Sequence, residues 1–195
     1  MTKVAIVFHS GYGHTKVVAE EIAHGVRNAG ATPVLLEIEG PSQDFKPLLD
    51  AATEADAIVF GAPTYMGDIS VGLKAFFEAS SSAWYTGAWK DKVAGGFTNS
   101  FNASGDKLHA LMSIFVLSQQ QHMIWVGAGQ PASSHGTPAP TFAADEVNRF
   151  SYSMGVATQS DNASPEVTPG SGDREFARRY GLRIAQVTSK LKGIL

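Results

Sequence analysis

Lys3-Val4-Ala5-Ile6-Val7-Phe8-His9, followed by Ser10-Gly11-Tyr12-Gly13-His14-Thr15, decides the fold. Every residue between Lys3 and His9 is apolar, without the polar alternation of a half-exposed strand, so the run reads as a strand buried on both faces. Helical periodicity starts at once. Val18, Ile22 and Val26 fall on one side of a helix over Thr15–Ala29, and Gly30 stops it. A buried strand, a short Gly-rich turn and an amphipathic helix open a βαβ unit.

The rest of the chain keeps this alternation. Strands are expected at Val34–Ile38, Ala57–Gly61, Lys92–Thr98 and Met123–Val126. Helices are expected at Phe45–Ala55, Val71–Ser80, Lys107–Gln121 and Asp173–Lys192. The last helix carries the stripe Phe176, Tyr180, Ile184, Val187 and Leu191, with Ser171 or Asp173 as its cap. The pattern predicts an α/β fold: one three-layer domain over residues 1–195 with a five-stranded parallel sheet in the order 2-1-3-4-5. Only residues 127–172, rich in Gly, Pro, Ser and Asn, break the rhythm and read as a long functional loop.

Composition narrows the function classes. The 195 residues are 44% hydrophobic and 17% charged, as in a globular protein. A net charge of −3 gives no basic footprint for nucleic acid. The absence of cysteine excludes disulfides, Cys-ligated metals and thiol catalysis. The histidines at 9, 14, 24, 109, 122 and 135 have no metal-ligand spacing, so no metal is expected. No apolar stretch approaches the ~20 residues of a membrane span, and a strand pattern stands where a signal peptide would lie, so the expected setting is the cytoplasm. The glycosylation patterns Asn102-Ala103-Ser104 and Asn162-Ala163-Ser164 then read as chance.

Three loops fall at the carboxyl ends of strands, where open α/β sheets bind ligands. The first is Ser10, Gly11, Tyr12, Gly13, His14 and Thr15. A helix start offers free N–H groups and partial positive charge to a phosphate, the glycines let the backbone close round it, and Ser10 and Thr15 add hydroxyls. The loop has no Lys, so it is no Walker loop, and no third Gly, so it is no dinucleotide fingerprint. A terminal monoester phosphate fits it best. His14 either flanks the phosphate or is a solvated loop residue, and Tyr12 either covers the ligand or packs on the surface. The second loop is Pro63, Thr64, Tyr65, Met66, Gly67 and Asp68, where Tyr65 and Met66 can cover a flat ring and Gly67 can present an N–H. The third, from Thr98, Asn99, Ser100, Phe101 and Asn102 to Gly105, is small and polar with one aromatic.

Together these residues resemble a family. Ser10–Thr15 is similar to the phosphate loop of flavodoxin-like proteins. Pro63–Ile69 is similar to the Pro-Thr-aromatic loop of the WrbA-like NAD(P)H:quinone oxidoreductases, related to NADPH-dependent FMN reductases. Ser82-Ala83-Trp84 with Gly87 and Lys92, and Gly172-Asp173 with Ala177–Gly181, resemble further segments of it. The resemblance implies a flavodoxin-like three-layer sandwich, FMN as cofactor across the three loops, and electron transfer from NAD(P)H to a quinone or similar small acceptor. It also implies a homo-oligomer, dimer or tetramer, with Trp84 as a wall over a neighbour's flavin. The alternative is a flavodoxin-type carrier with no organic substrate. The chain departs from the family in Asn99–Gly105, which is less Gly-rich, in Gln119-Gln120-Gln121-His122, which replaces paired histidines, and in Asn148–Tyr152, which replaces a Gly-Gly-Thr-Pro-Tyr-Gly segment. Its insertion between the second and third strands is also shorter. Phe150, Tyr152 and His135 are the candidates to close the pocket. No catalytic side chain is assigned, since the flavin carries the chemistry.

Overall fold

A computed structural model describes residues 1–133 and 141–194. In chain order the elements are β1 (Lys3–His9), α1 (His14–Asn28), β2 (Thr32–Ile38), α2 (Lys46–Thr53), β3 (Ala57–Tyr65) and β4 (Asp68–Ile69). There follow α3 (Val71–Ala79), α4 (Ser81–Thr86), β5 (Val93–Ser100), α5 (Lys107–Gln120), β6 (Ile124–Trp125), β7 (Val156–Gln159) and α6 (Ser171–Leu191).

β1 shows why its sequence lacks alternation. Val4, Ile6 and Phe8 enter one core with α1 and α6, while Ala5 and Val7 enter a second with α2, α3 and α5. Both faces are buried, as the continuous apolar run requires. Trp89 and Phe76 stack in the second core, and the indole N–H of Trp89 donates to Thr53 Oγ1 at 2.9 Å. On the other side α1 and α6 touch backbone to backbone. A Cβ at Gly25 would collide with the Arg178 carbonyl, and one at Gly181 with the Ile22 carbonyl, so the contact needs glycine in both helices. Arg178 closes its edge with an ion pair to Glu21 at 2.8 Å.

The sheet runs β2-β1-β3-β5, all parallel, and its fifth position is shared. β6 pairs with Val93 and Ala94 of β5, and β7 pairs with Phe97–Ser100 farther along the same strand. This is the expected 2-1-3-4-5 order with its last strand split in two. The expected strand Met123–Val126 is therefore only half of that position, and residues 127–172 are not wholly irregular because they contain β7. The chain leaves the sheet after Val126 and returns at Val156. At the neck of this excursion the Ala128 N–H donates to the Ser153 carbonyl at 2.8 Å, and the Trp125 indole to the Met154 carbonyl at 3.0 Å. Gly155 has no side chain because the Gly96 carbonyl occupies the space a Cβ would need.

β3 is longer than its apolar run. It continues past Gly61 to Tyr65 and folds back through Met66 and Gly67 into β4. Both turn residues have positive φ, 49° and 86°. That is the backbone of a two-residue hairpin turn, where glycine is favoured second. The short helix α4 also lies outside the sequence expectation. No helix of the described residues is long and apolar enough to cross a membrane.

Candidate functional site

At the carboxyl ends of β1, β3 and β5 the chain forms a cleft of about 330 Å³. Gly11, Tyr12, His14 and Thr15 line it from the first loop, Pro63, Thr64 and Tyr65 from the end of β3, and Asn99, Ser100 and Phe101 from the end of β5. Ser160, Asp161 and Asn162, just after β7, complete the rim. The sequence offered no sign of this fourth segment, because β7 itself was hidden in an apparently irregular stretch. The chance glycosylation pattern at Asn162 falls on it.

The first loop is built to receive an anion. Gly13 precedes α1 with φ of 88° and no capping side chain. The Lys16 N–H is taken by Ser10 Oγ at 3.1 Å and the Val17 N–H by the Gly13 carbonyl at 3.1 Å. The N–H groups of Gly11 to Thr15 have no acceptor among the described residues. They lie at the positive end of the helix dipole. Thr15 is buried yet lines the cleft, and its hydroxyl has no partner among the described residues. Lys16 turns away to Glu37 at 2.7 Å, so no lysine or arginine enters the cleft. A Cβ at Gly11 would strike the Tyr65 hydroxyl, and one at Gly13 would press on Pro165. Both glycines therefore sit where the loop meets other walls.

His14 lines the cleft and is tied down rather than simply solvated. Its Nε2 is 2.9 Å from the Ala163 carbonyl, which ties the first loop to the segment after β7. Tyr12 is exposed and meets Tyr65 edge to face at 6.5 Å between centroids. Burial, then the Tyr12 phenol beside it, raises the Tyr65 pKa, so Tyr65 stays protonated and remains a hydrogen-bond donor at neutral pH.

In the third wall the Asn99 side chain is oriented by two hydroxyls. Its Oδ1 accepts from Thr158 Oγ1 at 2.7 Å and Ser160 Oγ at 3.1 Å, which leaves its NH2 without a partner among the described residues. Thr64 Oγ1 and Thr98 Oγ1 are 2.7 Å apart, and Thr98 donates to the Ala62 carbonyl at 2.8 Å. Neutral donors, a buried free hydroxyl, free helix-terminal amides and two exposed aromatic rings, Tyr65 and Phe101, fit FMN: a phosphate at one end and a flat ring at the other.

Other expected site residues stand apart from the cleft. Ser10 Oγ accepts the Lys16 N–H and Gly13 faces Pro165. Met66 and Gly67 form the hairpin tip. Asp68 turns to α5, accepting from Ser113 Oγ at 2.7 Å. Thr98 is fully buried in the sheet, and Asn102 and Gly105 lie beyond the rim. Phe150 packs on Lys107 at the start of α5 and Tyr152 donates to the Ser104 carbonyl in the loop before it, and neither lines the cleft. His135 falls outside the described residues. Trp84 sits on α4 in a separate groove of about 540 Å³ between α3, α4 and α5. That groove is larger, and apart from Asp68 and Ile69 of β4 it is lined by helices and their connections.

Known proteins resemble the chain along its length. Residues 9–138 match the family described as NADPH-dependent FMN reductase. A flavodoxin, FldP, of Pseudomonas aeruginosa is 36% identical over 98% of this chain and 99% of its own length. An NAD(P)H dehydrogenase (quinone) of Caulobacter vibrioides is 32% identical over 99% of this chain and all of its own. The crystal structure of a flavodoxin, WrbA-like protein from Agrobacterium tumefaciens superposes with a TM-score of 0.73 at 36% identity, covering 97% of this chain and 99% of that one.

Proposed function

The chain belongs to the NADPH-dependent FMN reductase family, and from that premise we propose that it is a flavodoxin-like FMN oxidoreductase passing electrons from NAD(P)H to a quinone or a similar small acceptor. One observation carries this reading. Loops remote in sequence converge on one cleft, which free helix amides and the unpartnered Thr15 hydroxyl line together with two exposed aromatic rings. FMN, when bound, supplies the redox chemistry by accepting electrons from the nicotinamide and giving them to the acceptor.

The protein's part is binding and orientation. The amides of Gly11 to Thr15 and the Thr15 hydroxyl hold the phosphate. Neutral donors suffice because a helix terminus favours a dianion. Asn99, with its carbonyl oxygen already occupied, would have its NH2 free to hold a polar group of the flavin. Tyr65 and Phe101 would give the flavin aromatic cover. No side chain need act as nucleophile or base, since the flavin carries the chemistry. The proposed setting is the cytoplasm, where the nicotinamide pool lies.

The carrier reading has a specific observation in its favour, the 36% identity to a protein named flavodoxin. A single preparation separates the two. The purified chain is mixed with FMN and its visible spectrum recorded; NADH or NADPH is then added with and without a benzoquinone. Quinone-dependent oxidation of the nicotinamide supports the oxidoreductase. Bound flavin with no oxidation of either nicotinamide supports the carrier, and no bound flavin refutes both.

The proposed assembly is a homo-oligomer, dimer or tetramer. Its support is α5, which is apolar on both sides: Ala110, Leu111 and Ile114 are buried, yet Leu108, Met112 and Val116 form an exposed outward stripe beside Trp84. A helix apolar all round asks for cover on both faces, and a second copy presenting the same stripe supplies it. Sedimentation of the wild type beside Met112→Lys tests this. A monomeric wild type would refute it.

A further inference from the structure

Lys107 is fully buried, and it is the first residue of α5. Both facts are unfavourable. Burial disfavours the charge, and a helix start disfavours a cation. An apolar side chain of similar size would stabilise the fold at least as well. What surrounds the ammonium is therefore informative. Nζ donates to the Asn102 carbonyl at 3.0 Å and to the Thr158 carbonyl at 3.0 Å. It lies 4.9 Å from the centre of the Phe150 ring, on which Arg149 also packs at 4.5 Å. Arg149 is paired with the buried Asp173 of α6 at 2.9 Å, and Asp173 also accepts from the Gln159 N–H at 3.1 Å.

The two carbonyls belong to the segments that carry neighbouring walls of the cleft, since β5 and β7 are paired. Asn102 follows Ser100 and Phe101 in the loop after β5, and Thr158 precedes Ser160 and Asp161 on β7. The last backbone rung between these strands is the Ser160 N–H to the Ser100 carbonyl, 3.1 Å. Past it, among the described residues, side chains hold the β5 loop to β7: Gln159 Nε2 to the Phe101 carbonyl at 3.0 Å, and Lys107, which reaches from the Asn102 carbonyl back to Thr158 inside the paired stretch.

We propose that Lys107 is a positioning residue of the cofactor cleft, its ammonium clamping the β5 loop to β7 and so fixing where Ser100, Phe101 and the Asn99 amide stand against the flavin ring. This rests on the reading of the cleft as the FMN site. The clamp acts on the ring wall and does not touch the phosphate loop. It is also sensitive to pH. Burial lowers the Lys107 pKa to about 8; Asp173 pulls it up and Arg149 pushes it down. Asp106 adjoins it at the start of the helix. Below that value the ammonium is present and the clamp is whole. As pH rises through it, the charge and its attraction for the Phe150 face are lost.

The test titrates the flavin-free protein with FMN and with riboflavin, following flavin fluorescence, at about pH 7 and about pH 9. The wild type is expected to bind FMN about three- to tenfold more weakly at the higher pH. Lys107→Met is expected to bind about tenfold more weakly at the lower pH, equally so for riboflavin, and to show no pH slope. Thr15→Val, which alters only the phosphate end, keeps the slope. Wild-type affinity in Lys107→Met, or a flat wild-type profile, overturns the proposal. If Lys107→Met does not fold, the wild-type profile decides alone. A wild type that binds no FMN at either pH removes the cofactor reading and this inference together, whereas binding without the slope removes only the inference.

Discussion

The two ends of the cleft are made in opposite ways. The phosphate end is local in sequence: six consecutive residues, Ser10 to Thr15, form a strand exit, a glycine turn and a helix start, with His14 and the two glycines touching the other walls. The ring end is assembled from distance. Asn99 is oriented by Thr158 and Ser160, and the β7 segment that brings those hydroxyls is reached only after the chain has left the sheet and returned. A local site can fail in binding while the fold stands. A site assembled from afar should fail in both.

The largest test of that contrast is Asp173→Ala. Its carboxylate is almost fully buried and holds Arg149 and the Gln159 N–H, so it fastens both the excursion and β7. Removing one partner of a buried pair leaves an uncompensated charge and costs roughly 3–5 kcal/mol. Urea unfolding of the flavin-free protein should show that loss, and FMN affinity should fall with it. A loss of stability below ~1 kcal/mol would mean the wall is not held by this pair.

Thr15→Val should behave in the contrary way. The hydroxyl has no partner among the described residues, so the urea midpoint should stay within experimental error of the wild type. FMN affinity should fall roughly ten- to hundredfold, the worth of a hydrogen bond to a charged group, while riboflavin affinity is unchanged. Equal losses for both ligands would place Thr15 away from the phosphate. Unchanged FMN affinity would dislodge the phosphate from this loop altogether.

The same contrast explains what could be read from the sequence. The parallel order and the first loop were legible because each rests on a local signal: a continuous apolar run, a helical stripe, glycines between them. β7 was not, because Val156-Ala157-Thr158-Gln159 is short, half polar and set among Gly, Pro and Ser. Its partner is β5, about 60 residues earlier, and no periodicity announces a pairing across that gap. That Met66-Gly67 is a hairpin tip was not legible because glycine there suits an open loop as well, and only the antiparallel return of β4 shows it. Asp68 likewise has a partner, Ser113, on a helix that the loop's own sequence cannot reveal. Lys107 carried no signal at all, since a lysine opening a helix pattern reads as an exposed one.

A smaller effect is expected from Thr158→Val, which keeps the shape of the side chain and removes only the hydroxyl. Asn99 Oδ1 then keeps Ser160 alone, and its amide is free to turn. Stability should drop by about 1 kcal/mol, and FMN and riboflavin affinities should weaken together by a few-fold. A loss confined to FMN would contradict the placing of Asn99 on the ring.

His14→Ala gives the smallest effect and bears most directly on the division between the two ends. The bond from Nε2 to the Ala163 carbonyl, with the packing of Gly13 on Pro165, joins the phosphate loop to the segment after β7. The histidine is half-exposed at the rim, so deleting the bond should cost about 0.5–1 kcal/mol. If the two ends act independently, FMN affinity should barely change, and the losses of His14→Ala and Thr158→Val should add within ~0.5 kcal/mol in the double variant. If His14 instead transmits the position of one wall to the other, the double variant will lose clearly less than the sum. The same cycle measured with riboflavin locates the coupling. A shortfall that survives without the phosphate belongs to the protein walls themselves, while one that vanishes is carried by the ligand spanning the cleft.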